Sequence, residues 1–537
     1  MPPSERKRPR RGSPASAGSA PSFGAYAEAL AGDAGLPLAP LAPQRASAID
    51  SQRLQAKPHR TERLPEGLEG KLLPAFVQRA AASLPHHAWA AIGRHVAKQP
   101  SGPVTFKVGT ACSGSEFYLT ALPLLEKEIS QRLGRDVRFD HRWSCEIEPR
   151  KRQWIMDNFA PKKLFSDITR LAEGRCHDFV SGGSAEVDEV DILIAGTSCK
   201  DASRLNPHHM RRLNVVESGA HSTGGTFQGF ARLVAKLGPR CRVVYLENVA
   251  SLRDKDPKAG RSNFDGVRDA IRALGFGFIA AEFSARDMGL PVARPRLYMA
   301  GIRCGDEGAA QRTADEVLAA IAGKVRSVPL DSVLLPPGEP HIQMRDWMPE
   351  GLARQREQPC NILEVNWQGQ HRSSWAQIPP RLAEKWAPRF AANPWFSTLP
   401  ERQRDLLLLT ACRHDLARKA ALAIPLHTSL GWESLGSLEH LPTLVPRGVF
   451  WLVGRRRPLL GIEAVRLQGC DPSSLPGLGP ESHDSAFLTD LAGNAFCVYQ
   501  FCAWLFAVLA AGDLAEDASV SRASAARALA SGAASAA

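Results

Sequence analysis

Zinc-type cysteine spacing is missing from this sequence: none of its 11 cysteines forms a CxxC pair or joins a Cys/His cluster. An odd number of scattered thiols argues against a secreted disulfide scaffold and for a reducing compartment. Also lacking is an uninterrupted apolar run of bilayer length, and no apolar signal region follows Met1. These absences point to a soluble, intracellular chain that uses no metal and no membrane. Internal repeats are absent too. What is in excess is positive charge: 67 Lys and Arg against 55 Asp and Glu give a formal net charge of +12. Such a balance favours an acidic partner such as nucleic acid.

The 537 residues are enough for two or three domains. Residues 1 to about 70 are rich in Pro, Ala, Ser and Arg and poor in aromatics, the composition of a disordered extension. Arg6-Lys7-Arg8-Pro9-Arg10-Arg11 within it is a compact basic cluster of the kind used for nuclear import or phosphate binding. From 513 onward the chain is an Ala/Ser-rich tail. Between these ends, short apolar runs at 104–108, 142–145, 191–195, 243–246, 278–281 and 297–302 alternate with helical stretches such as 117–133 and 229–237. That alternation is the signature of an α/β fold with a mostly parallel, doubly wound sheet. Such sheets bind ligands at the carboxyl ends of their strands, so the chemistry is sought just after each run. From 306 to 440 the pattern fades and Trp347, Trp367, Trp375, Trp386 and Trp395 stand among basic residues.

The first run leads into Gly109-Thr110-Ala111-Cys112-Ser113-Gly114-Ser115-Glu116, small residues that let a backbone approach a cofactor. The second ends in Glu146, the position of a ribose-binding acid in dinucleotide-type sites, and Asp167 follows where an adenine amine would lie. Cys199 comes just past the run 191–195 in a Gly/Thr/Ser turn, where a thiolate nucleophile would sit. Taken alone it also fits a buried, inert thiol. Glu247 ends the next apolar strand, and an acid there is costly to bury unless it is used or paired. Arg294 and Arg296 alternate on one side of an extended segment.

This ordered series resembles the C5 cytosine-specific DNA methyltransferase family over roughly 104–305 and 440–512. The matching pieces are Cys112-Ser113-Gly114, Glu146, Asp167-Ile168, Cys199, Gly225-Thr226, Glu247-Asn248-Val249, Arg294-x-Arg296, the ExxRLQG segment from Glu463 to Gly469, and Gly493-Asn494-Ala495. The resemblance implies a Rossmann-like class I methyltransferase domain with a smaller target-recognition domain. It implies S-adenosyl-L-methionine as cofactor, held by Cys112, Ser113, Gly114, Glu146, Ile147, Asp167, Ile168, Asn494 and Ala495. Double-stranded DNA would be the partner, and the nucleus the location. Catalysis would fall to Cys199 as the thiolate adding to C6 of a flipped cytosine and Glu247 as the acid at N3. Asn248, Arg294 and Arg296 would orient them.

The implied division is an N-terminal extension at 1–103, a catalytic domain at 104–305, a target-recognition domain at 306–440, a return segment at 441–512 and a tail at 513–537. Departures from the family pattern concentrate at the site. Ser198 and Lys200 flank the cysteine where proline and glutamine are usual; proline would fix the turn, while Lys200 would lower the thiol's pKa. Ser115-Glu116 replaces common glycines, and Val292 a common Gln. The altered turn is what favours the alternative of a DNA-binding homologue with weakened turnover. A tRNA cytosine-C5 methyltransferase is the other alternative.

Overall fold

The computed structural model describes residues 72–97, 102–112, 114–206, 208–336, 339, 342, 376–414, 423–428, 440–478 and 485–512. The basic cluster, Ser113, the tail from 513, and Trp347, Trp367 and Trp375 lie outside the described residues. In chain order the strands are β1 (Val104–Ala111), β2 (Val137–Cys145), β3 (Lys163–Phe165), a short ribbon of β4 (Cys176–His177) and β5 (Ser184–Ala185), β6 (Ile192–Ala195), β7 (Val243–Val249), β8 (Gly277–Ser284) and β9 (Pro295–Ile302). Seven of them form one sheet in the order β3-β2-β1-β6-β7-β9-β8.

Strand periodicity explains why the sheet is covered on both faces. Along β6, Ile192 and Ile194 enter one apolar core while Leu193 and Ala195 enter another. On β7, Val243 and Tyr245 divide from Val244 and Leu246 in the same way. A strand apolar on both sides must be sandwiched between helices. Helices Leu122–Leu133, Glu307–Ala322 and Val498–Ala511 line one face; His221–Leu237 and Asn263–Ala273 line the other. The pairs β3-β2, β2-β1, β1-β6 and β6-β7 are parallel, whereas β9 runs antiparallel to both β7 and β8. The link 285–294 is too short for the crossover that a parallel β8–β9 pair would need. Outward progression from β1 to β3, followed by return to β6, makes β1/β6 the topological switch point, where a ligand crevice opens.

Two expectations about organisation are corrected. The extension 1–103, expected to be largely disordered, carries helices Leu72–Ser83 and His86–Ala97, which pack onto the sheet domain. Leu73, Phe76, Val77 and Ala80 recur at helical spacing and are buried, and Phe76 stacks on Tyr499 at 4.1 Å. The second correction concerns the break at 306. Helix Glu307–Ala322 buries Ala310, Ala314, Val317, Leu318 and Ile321 in the sheet domain's core, against Val498–Ala511.

A separate apolar cluster gathers Trp386, Phe390, Phe396, Leu406, Ile424 and Trp451. It is built on helices Pro380–Ala391 and Glu401–Arg413 and a three-stranded sheet of β10 (Ala423–Pro425), β11 (Phe450–Leu452) and β12 (Arg457–Pro458). This lobe therefore extends past 440. Buried Glu463 ties it to the sheet domain, accepting two bonds from Arg457 (2.8 and 2.6 Å) and one from the Leu335 amide at 2.9 Å. The most apolar stretch, Ser485–Ala511, is long and apolar enough to cross a membrane but lies largely buried inside the protein.

Candidate active site

At the switch point the first turn carries a run of left-handed backbone: Cys112, Gly114 and Glu116 have φ of 55°, 66° and 54°. For Glu116 this is a strained conformation. Its carboxylate is buried and takes hydrogen bonds from the Thr110 hydroxyl and, at 2.9 Å, from Ser144, so the loop is fastened to the ends of β1 and β2. Sequence reasoning saw only a missing glycine there; the nearby hydroxyl residues were the available signal. Gly196 brings the next turn in: a Cβ on it would lie 2.9 Å from the Cys112 carbonyl oxygen and 2.8 Å from the Phe496 ring.

Glu146 stands at the end of β2, only 7% exposed. Oε1 accepts from the Glu148 amide at 2.9 Å, and the carboxylate is also bonded by the Gly114 amide. Burial raises its pKa, opposed by those amides and by Lys151. Two such bonds leave roughly two of a carboxylate's four acceptor positions for a vicinal diol. Ile147 beside it is 70% exposed, an apolar face of the kind that accepts a base ring. Asp167 lies close enough to Cys112 to help push that thiol's pKa up, after burial and Glu146. Its Oδ1 accepts from the Thr169 amide and hydroxyl at 2.9 and 2.8 Å.

Asn494 is exposed and adjoins Gly114, with its Cβ 3.7 Å from where a Gly114 Cβ would be. Ile168 and Ala495 fit a ligand role less well. The Ile168 side chain is in the core, and the Ala495 carbonyl accepts from Arg294 at 2.6 Å. Only the backbone of Ile168 is available to a cofactor.

Cys199 is half-buried in the turn after β6. Burial raises its pKa; Arg296 opposes this most strongly, and Glu247 adds to it. The cation beside the thiol is thus Arg296, whereas the Lys200 side chain is exposed. In place of a proline, the turn is held by hydrogen bonds. The Thr226 hydroxyl accepts from the Ser198 amide at 3.2 Å, Ser198 and Ser222 share hydroxyls at 2.9 Å, and buried Asp201 accepts from the Thr223 amide at 2.7 Å and pairs with Arg212.

Glu247 ends β7, 8% exposed, with Oε1 3.1 Å from Arg296 Nε. Burial lifts the carboxyl above its usual range, against the pull of Arg296 and Arg294. Asn248 points the other way, donating to the Thr197 carbonyl at 3.2 Å, and so couples the acid's strand to the nucleophile's turn.

Arg294 has a different place from the one implied. It is 2% exposed and donates to the carbonyls of Leu444 (3.0 Å), Gly493 (3.2 Å) and Ala495 (2.6 Å), locking the return segment to the sheet. Burial pulls its pKa down to about 10. It is a structural clamp behind the site. The geometry therefore unites Cys199, Glu247 and Arg296 in one cleft and gathers Cys112, Gly114, Glu146, Asp167 and Asn494 in its neighbour. Among the described residues, no three His, Cys, Asp or Glu side chains gather where they could hold a metal ion.

A family match spans Glu146, Asp167, Cys199, Glu247 and Arg296. Residues 130–329 match the family model described as C-5 cytosine-specific DNA methylase. A DNA (cytosine-5-)-methyltransferase DMT5 of Cryptococcus neoformans is 28% identical over 420 residues, which is 72% of this chain and 16% of that protein. Type II methyltransferase M.HhaI of Haemophilus parahaemolyticus is 26% identical over 144 residues, 27% of this chain and 39% of that protein. The chain thus spans well under half the length of either relative. The S. pombe Dnmt2 methyltransferase crystal structure aligns over 75% of this chain and 98% of that one, at 14% identity and a TM-score of 0.38.

Proposed function

We propose that the C-5 cytosine-specific DNA methylase domain at residues 130–329, completed by the flanking segments of the same sheet, methylates C5 of cytosine in double-stranded DNA. The observation that carries this reading is the meeting of a thiol, a buried carboxyl and a guanidinium at the carboxyl ends of β6 and β7. Cytosine C5 is a poor nucleophile until a group adds at C6. Cys199 is a half-buried thiol beside Glu247 and Arg296, whereas Cys497 is buried behind them, so the Cys199 sulfur supplies the addition. Glu247, whose burial favours the protonated carboxyl, donates to N3 as negative charge develops on the ring. Arg296 holds Glu247 in place and balances charge at both partners. C5 then takes the methyl group, a base removes the C5 proton, and the ring double bond re-forms as the Cys199 sulfur leaves with its electron pair and N3 returns its proton to Glu247.

S-adenosyl-L-methionine supplies the methyl group when bound. The residues around β1 and β2 fit it: Glu146 offers acceptors to a ribose diol, and exposed Ile147 offers an apolar face to a base. A base stacked in duplex DNA cannot reach this cleft, so the target has to be flipped out. Exposed Leu205 and Met210, on the segment after Cys199, are apolar groups suited to the gap it leaves.

DNA contact by the lobe around Trp386 and Trp451, and nuclear placement through the basic cluster at Arg6–Arg11, belong to the same proposal. Methyl transfer from labelled cofactor to duplex DNA and to tRNA, side by side, tests it. Label in DNA alone supports the reading; label in tRNA alone replaces it.

A further inference from the structure

The face of the β7–β9 pair that carries Glu247 continues into the interior. The register sets Glu247 opposite Tyr298, and Arg294 and Arg296 alternate along the same side. Tyr298 is fully buried, its ring 6.1 Å from Tyr245 and 4.9 Å from Phe283. Three sealed polar atoms on this face have no hydrogen-bond partner among the described residues: Glu247 Oε1, which has only its ion contact to Arg296, Arg294 Nε and the Tyr298 hydroxyl. Buried polar atoms in a folded protein are almost always satisfied, by protein or by an internal water. A buried water commonly has about three polar partners, the number this cluster offers.

We propose that one internal water, held between Arg294 Nε, the Tyr298 hydroxyl and Glu247 Oε1, makes Tyr298 a positioning residue for the Glu247 proton. The inference rests on the reading of Glu247 as the acid of methyl transfer. Hydrogen-bond direction is largely forced. Arginine can only donate, so its Nε–H points to the water oxygen. The tyrosine hydroxyl donates to the second lone pair, leaving a water proton for Glu247 Oε1. When Glu247 is protonated, the hydroxyl can turn and accept instead. Both states of the acid are thereby satisfied, and neither is locked.

The groups facing Glu247 are Arg296 and Tyr298 of β9 and Arg294 just before it, Tyr245 of its own strand, Cys199 of the turn after β6 and Cys497 before the last helix. Burial pushes Cys497 up to about 11, raises the Cys199 thiol and holds both tyrosines well above their usual range, while Glu247 is raised from the carboxylate range.

Tyr298→Phe keeps the ring and its packing and removes only the hydroxyl. Infrared titration of the carboxyl C=O band, assigned by its loss in Glu247→Gln, should show the Glu247 midpoint moving up by about one pH unit in Tyr298→Phe, the scale of one hydrogen bond. An unchanged midpoint overturns the proposal. A second measurement compares the wild type with Glu247→Gln. Exchange into heavy-oxygen water should shift an isolated water O–H band that is absent from Glu247→Gln. A wild-type spectrum without that band also overturns the proposal. Neither experiment requires turnover. A shifted midpoint in a protein that transfers no methyl group would therefore sink the proposed function and leave the water site standing.

Discussion

Glu247 and Arg296 meet diagonally across an antiparallel strand pair, Oε1 to Nε at 3.1 Å, while Tyr298 faces Glu247 directly. This contact lets a buried carboxyl sit beside the nucleophile without being an isolated charge, because the guanidinium balances whatever charge it carries. Glu247→Gln preserves size and hydrogen bonding but has no proton to give. The expected loss in methyl-transfer rate is on the order of 10²–10⁴, with a circular dichroism spectrum like that of the wild type. Wild-type turnover in this variant would make the carboxyl structural.

The pH dependence follows from two raised groups. Burial lifts both the Cys199 thiol and the Glu247 carboxyl. The reactive combination, thiolate with protonated acid, is therefore a minority form. Raising the pH creates thiolate in the same proportion as it removes the Glu247 proton, so single-turnover rates should be level between the two titrations. In Glu247→Gln only the thiol titrates, and the residual rate should climb about tenfold per pH unit below the thiol's pKa. A flat profile in that variant would remove Cys199 ionisation from the account.

Arg294 should matter for stability more than for chemistry. Arg294→Met strands the three carbonyls of Leu444, Gly493 and Ala495, at an expected cost of about 2–4 kcal/mol in denaturant unfolding. Normal stability with lost turnover would return this residue to the catalytic set.

Cofactor affinity should report on Glu146. Replacing it with Ala removes the buried acceptor at the end of β2, and calorimetry should find S-adenosyl-L-methionine weakened by about 1.5–3 kcal/mol, the scale of hydrogen bonds to a charged group. Unchanged affinity would move the adenosine site elsewhere.

The strands were legible because burial on both faces leaves continuous apolar runs, and Cys199 and Glu247 were legible because they end such runs. Less visible was β3, three residues long at the sheet edge. Helices Leu72–Ser83 and His86–Ala97 were hidden by an Ala-rich composition, since their order comes from packing on the last helix. The role of Arg294 was not readable either: alternation puts it on the same face as Arg296, and only the return segment's carbonyls decide that it clamps backbone. Glu116 escaped notice because its value lies in a left-handed turn that only tertiary hydrogen bonds sustain.

Covalent trapping reads the Cys199–C6 bond itself. Duplex DNA carrying 5-fluorocytosine, incubated with the protein and labelled S-adenosyl-L-methionine, blocks the final proton loss and should leave a stable adduct. Peptide mapping should find the adduct at Cys199 alone, carrying the transferred methyl group, and Cys199→Ser should form none while still binding cofactor. An adduct at Cys112 or Cys241, or persistence of the adduct in Cys199→Ser, would contradict this role for Cys199.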